Sequence, residues 1–158
     1  MTGGVYMNVY AEWTLSVSRS ASQYRFFWDQ IVNGIVSGWP QTLLRLEGVS
    51  VLIGATLAYA WQGDSWWLFA AFFFAPDLSM VGYLAGHRVG SALYNFGHWY
   101  VVPLACIIWG VTHPSMPVLN IGLIWAAHIG FDRGLGYGLK YAEGFGVSHL
   151  GRMGKAPT

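Results

Sequence analysis

Residues 66–85 read WWLFAAFFFAPDLSMVGYLA, a run whose one charged side chain is Asp77. A helix of about 20 mostly apolar residues matches the roughly 30 Å hydrocarbon core of a bilayer. Three further apolar stretches surround it, at about Thr42–Trp61, Ala92–Val111 and Met116–Phe131, the last continuing toward Gly136. The connections Gln62–Ser65, Gly86–Ser91 and Thr112–Ser115 are short, which makes neighbouring helices antiparallel. The expected fold is therefore an all-α integral membrane protein, a four-transmembrane-helix bundle over residues 41–136.

Composition agrees. The 158-residue chain is 54% hydrophobic and 9% charged, against roughly 25% charged residues in a soluble domain. Eight Lys/Arg and seven Asp/Glu cannot solvate a globule that also carries nine each of Trp, Tyr and Phe. A net charge of +1 without a basic stripe excludes nucleic-acid binding by phosphate neutralisation. Cys106 is the single cysteine, which excludes a disulfide framework and a cysteine-based zinc site. No lysine lies inside an expected span, which excludes a retinal Schiff base.

All eight Lys/Arg fall on the side shared by the two termini and the middle connection, or at span ends facing it. The opposite connections hold Asp64 and His113 and no Lys or Arg. The positive-inside rule places both termini in the cytoplasm, in a bacterial cytoplasmic (inner) membrane. No basic start followed by an apolar stretch and a small-residue cleavage site is present, so no signal peptide is read.

Residues 1–40 form an extension of different character. From Val5 to Val17 the odd positions are apolar, and this period-two alternation favours a strand over a helix. A lone strand needs a second one to pair with, which points to a homo-oligomer or a partner protein engaged through residues 1–40. Residues 24–39 read as an amphipathic helix lying in the interface and ended by Pro40. Residues 137–158 are a Gly-rich cytoplasmic tail, read as a flexible cap or a mobile end. As a cap, its cations Lys140 and His149, with Arg133, would meet a lipid phosphate.

Direction through the bilayer decides depth. Glu47 enters with the first span, Asp77 lies past the midpoint of the second, and Tyr94, Asn95 and His98 begin the third. His128, Asp132 and Arg133 end the fourth. All sit in the cytoplasmic third, and spacings of three or four residues put Tyr94, Asn95 and His98 on one helix face and His128 and Asp132 on another. Charges at bilayer depth cost about 2.5–3.5 kcal/mol each and turn toward partners, so a polar pocket open to the cytoplasm is expected.

Three readings of that pocket compete. One is an ion-pair network that only locks the bundle, with Glu47, Asp132, Arg45 and Arg133 pairing. A second is a divalent-metal site drawn from Asp77, His98, His128 and Asp132, with Glu47 or Asn95 supporting. A third is metal-free acid–base catalysis by His128 and Asp132. Two histidines at one depth also have the form of axial haem ligands, ranked behind the metal.

The motifs Leu44-Arg45-Leu46-Glu47-Gly48, Ala75-Pro76-Asp77-Leu78-Ser79-Met80 with Gly82-Tyr83, and Tyr94-Asn95 with His98 occur in order. Ala127-His128-Ile129-Gly130-Phe131-Asp132-Arg133, Gly136-Tyr137-Gly138-Leu139-Lys140 and His149-Leu150-Gly151-Arg152 complete the set. Over about Gln41–Arg152 the chain resembles the bacterial small integral-membrane family catalogued as domain of unknown function 4260. That resemblance implies a four-span membrane protein and no established activity. A looser similarity, a Pro-Asp followed by Asn-x-x-His, is to membrane-bound proteins assigned as metal-dependent hydrolases. Ser79 stands where those usually carry a second acid.

The functional expectation is a lipid- or amphiphile-modifying hydrolase or transferase. Its catalytic groups would be Asp77, His98, His128, Asp132 and Glu47, with Tyr83, Tyr94, Asn95, Arg133 and Lys140 around the substrate. The alternative is a non-catalytic accessory or assembly subunit, recruiting its partner through the extension. A transporter ranks third.

Overall fold

The computed structural model describes residues 34–152. The strand expected over 5–17 and most of the interfacial helix expected over 24–39 lie outside them. The described end of that helix is not helical. Gly34 and Gly38 adopt φ of 66° and 68°, a left-handed conformation that interrupts a helix, and no helix covers residues 34–38. Trp39 and Pro40 open the next helix instead of closing the preceding one. Proline suits a first helical turn because its missing N–H would have no partner there.

Helix α1 spans Trp39–Gln62 and stops at Gly63, whose φ of 73° forms a left-handed cap. Helix α2, Trp66–Phe73, gives way to a 3-10 helix over Ala75–Ala85. Helices α3 (His87–Gly97), α4 (Val101–Thr112) and α5 (Met116–Leu135) follow. A small antiparallel pair, β1 (Val147–Ser148) and β2 (Gly151–Arg152), ends the described chain.

Two of the four expected spans are not continuous α-helices, and a proline explains each break. Pro76 has no N–H to donate and its ring crowds the preceding turn, so the α-helix ends at Phe73. The chain continues as a 3-10 helix of 11 residues, far longer than the usual three or four. Pro103 stands four residues after Trp99, whose carbonyl its ring would meet in a continuous helix, and the third stretch breaks at His98–Tyr100. Its first part starts earlier than expected, at His87, and absorbs most of the loop expected over Gly86–Ser91.

Helix α5 is the axis of the fold. It packs against α1 and α4 along its length, and α2 and the 3-10 helix also touch it. Eleven of its 20 residues are buried. Gly48 on α1 meets Gly130 and Gly134 on α5, so the two backbones run in direct contact. The 3-10 helix and α3 form a second close pair, where Gly82 lies against Leu93 and Gly90, and Gly97 against Ser79.

Two helical stretches, Trp39–Gln62 and Trp66–Ala85, are long and apolar enough to cross a membrane. Only 17% and 11% of their apolar windows are buried, so protein does not cover these faces as it covers the core helix of a soluble domain. Helix α5 carries Asn120, His128, Asp132 and Arg133, and the first three are buried among its neighbours.

The glycine contacts make a paired prediction. A Cβ at position 130 would stand 2.6 Å from the Gly48 carbonyl oxygen and 2.6 Å from the Leu52 nitrogen, backbone atoms that cannot swing aside. Gly130→Ala should therefore destabilise by about 1–3 kcal/mol. Nothing lies within 4 Å of a Cβ at position 54, so Gly54→Ala should be neutral or stabilise by up to about 1 kcal/mol. Thermal midpoints in detergent read both; equal midpoints would refute the close α1–α5 contact.

Candidate functional site

The two breaks deliver the site. Asp77 follows Pro76 at the start of the 3-10 helix, and His98 is the cap residue that ends α3. His128 and Asp132 lie one turn apart on α5 and face the same way. Backbone groups freed at the breaks find partners. The Ser79 hydroxyl donates to the Pro76 carbonyl (2.6 Å), and the Trp125 indole N–H donates to the Gly97 carbonyl (2.6 Å). Irregular backbone inside packed protein requires this satisfaction.

One ligand atom from each of Asp77, His98, His128 and Asp132 lies within 4.8 Å of the others. The His98 and His128 Nε2 atoms are 3.2 Å apart. His98 Nε2 lies 3.4 Å from Asp77 Oδ1 and 3.5 Å from Asp132 Oδ2. His128 Nε2 lies 3.6 Å and 4.0 Å from the same two oxygens. Hydrogen bonds between nitrogen and oxygen run at roughly 2.7–3.2 Å, so none of the four imidazole–carboxylate contacts is one. Four donors held about 2.1 Å from a tetrahedral ion would stand about 3.4 Å from one another. These four residues could hold a metal ion.

The tautomer of His98 follows from its partner. Its Nδ1 lies 2.8 Å from the Tyr94 carbonyl oxygen, which only accepts, so Nδ1 carries the hydrogen and Nε2 of the neutral ring presents its lone pair to the cluster. The Tyr94 ring stacks on His98 at 3.7 Å between centroids, and its hydroxyl donates to Asp132 Oδ2 at 2.9 Å. Phe73 and Phe74 set their edges against His128. His128 is wholly buried, and its Nδ1 has no hydrogen-bond partner among the described residues.

A cavity of about 320 Å³ opens on the carboxylate side, bordered by Asp77, Asp132, Tyr94, Tyr137, Lys140 and Phe145, with Phe74, Met80 and Phe131 completing its wall. His98 and His128 are not among its lining residues.

The segment after α5 is a folded cap. Gly136, at φ 95°, turns the chain, and the Tyr137 N–H returns to the Asp132 carbonyl at 2.7 Å. Asn95 clamps Lys140 by both backbone groups: the Lys140 N–H donates to Asn95 Oδ1 (2.6 Å), and Asn95 Nδ2 donates to the Lys140 carbonyl (2.9 Å). Gln41 holds the Leu150 carbonyl, Val36 N–H donates to the His149 carbonyl, and Leu150 is fully buried. The expected flexible or mobile end is ordered through Arg152 because these bonds use its carbonyls and amides.

Matching models of protein families to the chain finds one, Domain of unknown function (DUF4260), over residues 41–153. The chain belongs to that family. No curated protein and no solved structure matches it. The DUF4260 segment contains all four cluster residues, the cavity and the cap, whereas residues 1–40 precede it.

Several expected site residues of this DUF4260 chain lie elsewhere. Glu47 is exposed on α1 and outside the cluster. Arg133 stacks on Tyr100 at 4.6 Å and does not line the cavity. Tyr83 packs its ring on Gly90 and Phe145, away from the cavity wall. Asn95 positions the cap and does not line the cavity either. The lysine or arginine ion pairs expected to lock the bundle do not form among the described residues, where every close pair joins a histidine to Asp77 or Asp132. The two Nε2 atoms are also too close for a haem macrocycle to lie between them.

Sequence reading missed Phe145, Tyr137 and Met80 in the wall. The returning cap brings the first two there, which no spacing shows, whereas Met80 lies three residues after Asp77, one turn on in the 3-10 helix.

Two groups outside the expected spans are shifted. Burial pulls Lys140 below the ordinary lysine range, and Asp132 pulls it partly back. Burial, then the Arg133 charge, pulls His149 below 6.5. His149 Nδ1 accepts the Leu139 N–H at 2.8 Å, a bond that only the neutral ring makes. With the folded value depressed, the cap's stability is present above about 6.5 and falls as the pH drops below it. Limited proteolysis within residues 137–152 should therefore accelerate between pH 7 and pH 5. Asn95→Ala, which strips two partners from Lys140, should accelerate it already at pH 7.5. Cleavage independent of both would refute the clamped cap.

Proposed function

We propose that the protein is a four-span enzyme of the bacterial cytoplasmic membrane, with both termini inside, whose cavity holds a divalent metal ion and hydrolyses an amphiphilic substrate. The membrane reading is supported by the two long apolar helices with uncovered faces, and by the one-sided distribution of Lys and Arg. The broken second and third stretches fit such a bundle, since irregular backbone is tolerated at membrane depth where it lines a cavity.

The observation that carries the metal is the convergence of four ligand atoms within 4.8 Å of one another, with imidazole–carboxylate contacts of 3.4–4.0 Å that are too long for hydrogen bonds. Two imidazoles and two carboxylates suit zinc and its neighbours among the first-row metals. The ion would supply Lewis acidity and lower the pKa of a water toward neutrality. The chain's own residues do the rest. Tyr94 orients two ligands at once, stacking on His98 and donating to Asp132. His98 and His128 would hold the ion from the buried side, and Asp77, with its side chain 35% exposed, faces the cavity from which substrate would enter. Phe73 and Phe74 screen the cluster from water and sharpen its electrostatics.

The accessory-subunit reading rests on the extension of residues 1–40, of which 1–33 lie outside the described ones.

Metal analysis of detergent-purified protein tests the proposal. Wild type should carry about one zinc-class ion per chain. His98→Ala and His128→Ala should lose it while His113→Ala, on the opposite connection, keeps it. Tyr94→Phe should weaken metal affinity about 10–100-fold, the usual effect of removing an outer-shell partner. Wild type that takes up no ion from a zinc-supplemented buffer, or uptake unchanged in both histidine variants, would refute the reading.

A further inference from the structure

The cavity holds one cation that forms no close ion pair among the described residues. Lys140 is 4% exposed, and among the described residues no carboxylate oxygen lies within 4.0 Å of its ammonium. Its backbone is fixed on both sides by Asn95, and a bridge to Ser148 ties it into the cap, so the side chain cannot leave the cavity while the cap is closed. Three aromatic rings surround the nitrogen: Phe145 at 4.5 Å, Tyr94 at 5.2 Å and Tyr137 at 5.7 Å. Cation–π contacts of this kind recover only part of the cost of drying an ammonium. A buried cation retained on a cavity wall is ordinarily completed by an anion.

Charge decides which anion. In the metal-loaded pocket proposed above, on which this inference rests, a divalent ion balances Asp77 and Asp132 and leaves Lys140 as the single excess charge. An anionic group offsets it, and a phosphate brings about −1 to −2 charge near neutral pH. The group must also offer separate oxygens toward the ion and toward the ammonium, which lie on different parts of the wall. Phosphate does both, and lysine is a common point-charge partner for it. The remaining wall, Phe74, Met80 and Phe131, is apolar and suits the organic part of a phosphate-bearing amphiphile.

We infer that the cavity is a phosphate-binding site in which the aromatic-caged Lys140 ammonium holds a phosphate group against the carboxylate–histidine cluster. The phosphate is borne by a lipid or is free in solution, and the experiment separates these sources.

Zinc-loaded protein, purified in phosphate-free detergent, is titrated with inorganic phosphate and, separately, with phosphatidate in mixed micelles. Zinc content and thermal midpoint are read on the same samples. Wild type should bind at least one of the two probes. Lys140→Gln should weaken that binding tenfold or more with zinc content and midpoint retained, and Lys140→Arg should restore most of it. Saturation by inorganic phosphate identifies a site for soluble phosphate. Binding of phosphatidate alone identifies a lipid headgroup site. Both results support the inference. Wild type that binds neither probe, or Lys140→Gln that binds as tightly as wild type, overturns it. Phosphate binding that depends on Lys140 in a protein that takes up no zinc would instead overturn the metal reading and leave the anion site standing.

Discussion

Two carboxylates and two imidazoles converge inside the packed helices, each imidazole within 4.0 Å of both carboxylates, and that convergence is what the rest of the fold has to hold in place. Asp132, His98 and His128 are all at least nine-tenths buried, so water cannot screen them. In that environment the cost of unpaired charge runs to several kcal/mol per group. Hydrogen bonds relieve it only in part: Tyr94 donates to Asp132 and the two Nε2 atoms lie 3.2 Å apart, whereas the imidazole–carboxylate contacts of 3.4–4.0 Å are too long. The remainder of the fold can be understood as what is needed to hold these four side chains at that spacing.

Holding them there requires departures from regular helix. Asp77 reaches the cluster because Pro76 ends α2 and starts a 3-10 helix, and His98 reaches it because the third stretch breaks one turn before Pro103. Helix α5 stays regular and supplies the other two ligands from one face. The glycine contacts bring the pieces together: Gly48 against Gly130 fixes α1 on α5, and Gly82 and Gly97 fix the 3-10 helix on α3. The cap then closes the open side and contributes the only cation of the cavity wall among the described residues, Lys140.

Much of this was legible in the sequence, and the limits have physical causes. Apolar length identified the helical stretches, and helical spacing joined His128 to Asp132, because both signals are local. Reasoning from depth placed Asp77, His98, His128 and Asp132 on one level, and the structure puts them in one cluster. The helix breaks were not read, because a proline in an apolar run is tolerated in many bundles and only tertiary contacts decide whether the chain kinks or stops. Glu47 was misplaced because depth alone says nothing about which face of α1 it occupies. The cap was foreseen only as one of two readings, and its order was not legible for a related reason: glycine-rich sequence reads as loose until its partners, Asn95 and Gln41, are known to lie opposite it.

The central claim is that this cluster ligates an ion, and X-ray absorption at the zinc edge of detergent-purified, zinc-loaded protein tests it most directly. The account predicts about four nitrogen and oxygen scatterers at about 2.0–2.1 Å, with the outer-shell pattern of two imidazole rings that falls to one in His128→Ala. A shell of water oxygens without imidazole scattering, or a spectrum unchanged by that substitution, would contradict it.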